Sequence, residues 1–111
     1  MTKRTELLYL TDILNAIRNI EKYTKKISFT KFCNNQLIMD AVIRNLEIIG
    51  EATKHISNEI KVKHHDIPWK AMAGMRDKVA HEYFGVDNEI IWKTIKISLP
   101  SLKKMLKMIK S

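Results

Sequence analysis

Apolar residues recur along the chain at three- and four-residue steps, the spacing that gathers them on one face of an α-helix. Leu7, Leu10, Leu14 and Ile17 form the first such stripe, widened by Ile13 and Ile20, and predict a helix over about Thr5–Lys25. Ser28 and Thr30 follow, with hydroxyls suited to accept from the unpaired N–H groups at the start of a second helix. That helix is predicted to be long, over about Lys31–Ile56, with Ile38, Val42, Ile49, Ala52 and Ile56 inward and Leu37, Ala41 and Ile48 beside them. Gly50 interrupts the pattern at a cost of roughly 1 kcal/mol relative to alanine, which a close helix–helix approach would explain.

The polar stretch Ser57–Asp66 reads as a connection. Pro68 suits the first turn of a third helix, where its missing N–H is not needed. This helix is expected to reach about Tyr83, with Met72, Met75 and Val79 inward and with Ala71, Ala73 and Gly74 permitting tight packing. Gly85 can end it in a left-handed turn. Asp87 can cap a fourth helix, whose inner face would carry Ile91, Ile95, Leu102, Met105 or Leu106, and Ile109. Glu89 suits the positive end of its dipole. Pro100 falls inside this last pattern, so the fourth helix should be kinked or broken there. The expected fold is all-α: an antiparallel four-helix bundle forming a single domain over residues 1–111, without internal repeat or linker.

Composition agrees with that reading. Hydrophobic residues make up 45% of the 111, enough for a core, and only 3 Gly and 2 Pro break up a chain rich in helix formers. Charge adds something new: 20 Lys and Arg against 12 Asp and Glu give a formal +8. Such an excess attracts polyanions through counterion release, although a solvated lysine-rich surface has the same composition. Lys103, Lys104, Lys107 and Lys110 crowd the last helix, where cations complement the dipole on an ordinary wet face. Cys33 is the single cysteine and reads as a small hydrophobe, which excludes an intramolecular disulfide and a multi-cysteine zinc site. No apolar run approaches the roughly 18–20 residues of a membrane span, and the N-terminus lacks the apolar stretch of a signal peptide, so a cytoplasmic protein without membrane contact is expected.

Candidate chemistry lies on two predicted helices. On the second, Asp40, Arg44, Glu47, Glu51 and His55 follow steps of four, three, four and four and share a face. This stripe is either a wet surface or the charged wall of a cleft, where acidic groups would orient a nearby arginine. On the third, Arg76, Asp77 and His81 occur in the run GMRDKVAHEYFGVD. Asp77 and His81 stand four apart, so the carboxylate can hydrogen-bond the imidazole and fix its tautomer. Arg76 and His81 are separated by about 7.5 Å of rise and roughly 140° of rotation, so they would meet on one substrate near the helix end or across two copies of the helix. Histidine exchanges protons near neutral pH, and arginine holds phosphate through paired hydrogen bonds while stabilising developing charge. With an RNA 2′-hydroxyl as internal nucleophile, these groups suffice in principle for phosphodiester cleavage without a metal or other cofactor. An Arg–His pair on a helix is also commonly structural. His64, His65 and Asp66 read as loop polarity rather than a metal site, and Trp69 and Trp92 as core anchors.

The arrangement of Arg76, His81 and Tyr83, together with the runs GMRDKVAHEYFGVDNEIIW and IRNLEIIGEATKHI, resembles the signature of HepT-like HEPN proteins over nearly the whole chain. The position after the arginine is often Asn in that group and is Asp77 here. The resemblance implies a four-helix HEPN fold and a homodimer whose paired Arg–His motifs face each other across a cleft. It implies a metal-independent endoribonuclease toxin acting on RNA. For such an enzyme Arg76 is expected to hold the scissile phosphate, His81 to act as general base or acid and Asp77 to orient it or contact substrate, all three catalytic, with Arg44, Glu47 and Glu51 in support. The usual partner is a minimal nucleotidyltransferase antitoxin that transfers AMP to the motif tyrosine, here Tyr83. Such a group would add bulk and negative charge two residues beyond His81. The alternative is a non-catalytic subunit that binds and regulates the nucleotidyltransferase.

Overall fold

The computed structural model describes residues 3–75 and 88–110, and among these the regular structure is helical throughout. The first helix, α1, spans Lys3–Thr24. Its apolar stripe is the centre of the core: Leu10, Ile13, Leu14, Ile17 and Ile20 are fully buried or nearly so, whereas Leu7 is 43% exposed. Each buried leucine or isoleucine contributes roughly 1.5–3 kcal/mol relative to exposure, so this one stripe is a major share of the folding drive.

The expected single helix over Lys31–Ile56 is two helices, α2 at Phe29–Cys33 and α3 at Gln36–Lys54. Two successive asparagines cause the break. Asn34 closes α2, its N–H donating to Thr30 O and Lys31 O at 3.2 Å. Asn35 turns extended and its Oδ1 accepts from Ile38 N at 3.0 Å, capping α3. Short amide side chains compete in this way with continued helix. Ser28 caps α2 as expected, its Oγ accepting from Lys31 N at 3.2 Å. The restart leaves Leu37 81% exposed and turns Met39, Ile43 and Leu46 inward beside Val42, Ile49, Ala52 and Ile56. Gly50 is buried within α3.

Three contacts set α3 antiparallel to α1, because partner numbers fall on one helix as they rise on the other. Glu6 meets Ser57, Tyr9 meets His55 and Asn19 meets Asn45. Asn45 is buried without an unmet polar atom on its amide: its Nδ2 donates to Ala41 O at 2.8 Å, and its Oδ1 accepts from Asn19 at 3.2 Å.

The stretch expected to be a plain connection contains a helix, α4 at Asn58–Lys63, capped by Ser57. Helix α5, Trp69–Ala73, follows Pro68 and packs on α3. It stops early: Gly74 forms its C-cap with φ −75°, and its N–H donates to Lys70 O at 3.0 Å. The third helix expected to run unbroken from Pro68 is thus interrupted at Gly74. Its predicted course to Tyr83, with inward Val79, the Gly85 terminator and the Asp87 cap, lies outside the described residues.

The last segment consists of α6 at Asn88–Lys93, a π-helical turn at Thr94–Ser98 and α7 at Leu99–Lys110. The wide turn ends two residues before Pro100, whose ring lacks an N–H and crowds the carbonyl of Lys96 four residues back. Ile91, Ile95, Leu99, Leu102 and Leu106 are buried, and α7 packs on α1. Polar contacts pin the same junction. Lys103 Nζ lies 2.8 Å from Glu21 Oε1, and Lys96 Nζ donates at 3.1 Å to Thr24 O at the carboxyl end of α1.

Candidate functional cleft

The polar stripe predicted on the second helix lines a cleft between α1 and the part of α3 that runs from Arg44 to its C-cap His55. Arg44, Glu47, Glu51 and His55 face Tyr9 and Asp12 of α1 across a space of 350 Å³, with Ile48 and Ala52 also lining it. Helical periodicity explains the α3 side, since these residues lie on one face beside the buried row. The α1 side follows from the antiparallel pairing, which sets Tyr9 opposite His55. Asp40 continues the stripe without lining the cleft; its Oδ1 accepts from Gln36 Nε2 at 2.7 Å.

The cleft is built at both ends. Near the start of α1, the buried Glu6 accepts from Ser57 N at 2.9 Å, so a carboxylate of α1 fixes the chain where α3 gives way to α4. Above that bond the Tyr9 and His55 rings stack with centroids 4.8 Å apart and planes 12° from parallel. Tyr9 packs against the core, while His55, at the C-cap of α3, is exposed. Farther along α3, Arg44 Nη1 stands 3.9 Å from Glu47 Oε2. That pair is long, and the arginine side chain is 71% exposed, so it contributes little to stability. The guanidinium therefore stays available at the rim.

Of the residues expected to carry chemistry, the structure brings Arg44, Glu47 and Glu51 together in this cleft. Arg76, Asp77, His81 and Tyr83 lie outside the described residues. Tyr9 and Asp12 went unmarked by sequence reasoning. Both sit between members of the apolar stripe of α1 and gain meaning only from what α3 sets against them. Trp69 is buried, with its Nε1 donating to His64 O at 3.0 Å, and Trp92 packs against Phe29 and Phe32, so both serve the core. Among the described residues, no group of three or more His, Cys, Asp or Glu is placed to hold a metal ion, and no helix is long and apolar enough to cross a membrane.

Known proteins supply the family. The family model described as "Ribonuclease HepT-like" matches residues 13–109. The chain is 52% identical over 101 residues to "Probable ribonuclease HepT" of Thermococcus cleftensis, covering 91% of this chain and 92% of that one. It is 43% identical over 104 residues to "Putative RNase MJ1380" of Methanocaldococcus jannaschii, covering 94% and 95% of the two chains. With "Putative RNase TTE0752" of Caldanaerobacter subterraneus it shares 45% identity over 104 residues, 94% of this chain and 93% of the relative. No solved structure matches it. This chain belongs to the HepT-like ribonuclease family.

Proposed function

We propose that this protein is a metal-independent endoribonuclease, the toxin of a toxin–antitoxin pair, acting in the cytoplasm as a homodimer. One observation carries the reading: a HepT-like chain retains Arg76, His81 and Tyr83 together in the spacing Arg–x4–His–x–Tyr. In this reading the principal helices complete an antiparallel four-helix HEPN bundle, and two copies of the Arg–His motif face each other around the RNA.

The chemistry follows from the groups available. His81 takes the proton from a ribose 2′-hydroxyl, whose oxygen attacks the adjacent phosphorus. The bond to the 5′-oxygen breaks, that oxygen gains a proton from an imidazolium, and a 2′,3′-cyclic phosphate remains. Arg76 holds the phosphate and stabilises charge developing on its oxygens. Asp77 keeps the imidazole in its working tautomer. Arg44, Glu47 and Glu51 support the site from α3. A minimal nucleotidyltransferase antitoxin silences the enzyme by transferring AMP to Tyr83, where added bulk and negative charge oppose RNA binding.

Expression in a host without the antitoxin tests this. Wild-type protein is expected to arrest growth and degrade cellular RNA, and Arg76→Ala to do neither at equal protein level. Arrest by Arg76→Ala as strong as wild type, or harmless wild-type protein at verified levels, overturns the reading; the latter points to a regulatory subunit of the nucleotidyltransferase.

A further inference from the structure

We propose that the α1–α3 cleft is a nucleobase subsite that takes one unpaired base of the RNA, guanine in preference to uracil. The proposal rests on the endoribonuclease reading and assigns roles to Tyr9, Asp12 and His55 that cleavage itself does not require.

Three features point to a base. The first is a layered platform. Tyr9 is backed by the core, His55 lies flat on Tyr9 with planes 12° apart, and His55 is exposed. A ring fixed from behind loses little freedom when a further flat ring stacks on its other face. Single-stranded RNA is recognised in this way, by unpaired bases laid on aromatic or imidazole rings. The second is size: 350 Å³ lies at the small end of ligand clefts, about 300 Å³ and upward, which suits a base or nucleoside but not a duplex.

The third is the polar wall. Among the described residues that line the cleft, Asp12 and Glu47 place carboxylates beside the guanidinium of Arg44. Ionised carboxylates only accept hydrogen bonds. They match a base edge made of donors. Guanine offers adjacent donors at N1 and N2 that one carboxylate can accept together, whereas uracil offers only N3–H between two carbonyls. Arg44 at the rim can hold the phosphate of the same nucleotide.

The test uses 2′-O-methyl oligonucleotides, which bind but cannot be cleaved through the 2′-oxygen. Affinity is measured by fluorescence anisotropy at fixed salt for an all-uridine strand and the same strand with one central guanosine. Wild-type protein should prefer the guanosine strand by roughly five- to hundredfold, the range for a good bidentate base contact. The Asp12→Ala/Glu47→Ala variant should lose that preference. His55→Ala should weaken binding of the guanosine strand by about fivefold or more, the lower range for removing a stacking partner. Asp12 and His55 are exposed, and retention of the wild-type melting temperature verifies the fold of each variant. Equal binding of both strands by wild type, or unchanged preference and affinity in the variants, overturns the subsite. If no RNA is cleaved yet the binding pattern holds, the endoribonuclease reading fails and the subsite stands.

Discussion

Tyr9 and His55 stack at 4.8 Å although 45 residues separate them in the chain, and this contact joins the first turns of α1 to the last residue of the α3 region. The same antiparallel register brings Glu6 to Ser57 and Asn19 to Asn45, so the cleft is a direct product of how the two longest helices pair. Its walls are as firm as that pairing.

The Glu6 carboxylate is the buried clamp of the register. Glu6→Ala leaves the Ser57 N–H without its acceptor and should destabilise the fold by about 1–3 kcal/mol, read from urea unfolding. Glu6→Gln keeps an acceptor oxygen and should cost less. Equal stability of all three proteins would show that the clamp contributes nothing.

Burial, not hydrophobicity alone, should decide the effect of substitutions on α3. Ile49 is fully buried, and Ile49→Ala should cost about 2–5 kcal/mol through lost transfer energy and a cavity. Leu37 is 81% exposed, and Leu37→Lys should stay within about 0.5 kcal/mol of wild type. A large loss at Leu37 would mean that this leucine is covered in solution.

The docking of α7 on α1 divides in the same way. The Lys103–Glu21 pair is short at 2.8 Å but partly solvated, so Lys103→Ala should cost no more than about 1 kcal/mol and the difference should shrink in high salt. Leu106 is fully buried, and Leu106→Ala should cost about 2–5 kcal/mol with little salt dependence. Thermal melts at low and high salt separate the two.

The sequence carried much of this, unevenly. Apolar spacing marks the faces of α1 and α7 well, because three- and four-residue steps suffice once a helix is unbroken. It overran at Asn34–Asn35 and at Gly74, where two local features win: amide side chains that satisfy backbone groups more cheaply than another helical turn, and a glycine that adds little helix propensity. Helix α4 is hidden in the sequence because six polar-rich residues leave no apolar stripe to read, although Ser57 has the character of a cap. The α3 wall of the cleft was legible from its spacing. Tyr9 and Asp12 were not, since their role depends on a partner helix more than thirty residues away.

The proposed control by AMP transfer makes a separate prediction at Tyr83. Co-expression with a minimal nucleotidyltransferase antitoxin should add one or more AMP units to the intact mass, and peptide mapping should locate them at Tyr83. Tyr83→Phe should gain no mass and should stay toxic beside the antitoxin. Modification unchanged in Tyr83→Phe would assign it to another residue.

The most direct measurement is cleavage of single-stranded RNA by purified protein in excess EDTA, comparing wild type with His81→Ala at matched helical circular dichroism. Wild type should cleave and leave 2′,3′-cyclic phosphate ends, and His81→Ala should lose about a hundredfold or more of the rate, the scale of a removed general acid or base. Undiminished cleavage by the His81 variant, or wild-type cleavage that stops on chelation, would contradict the account.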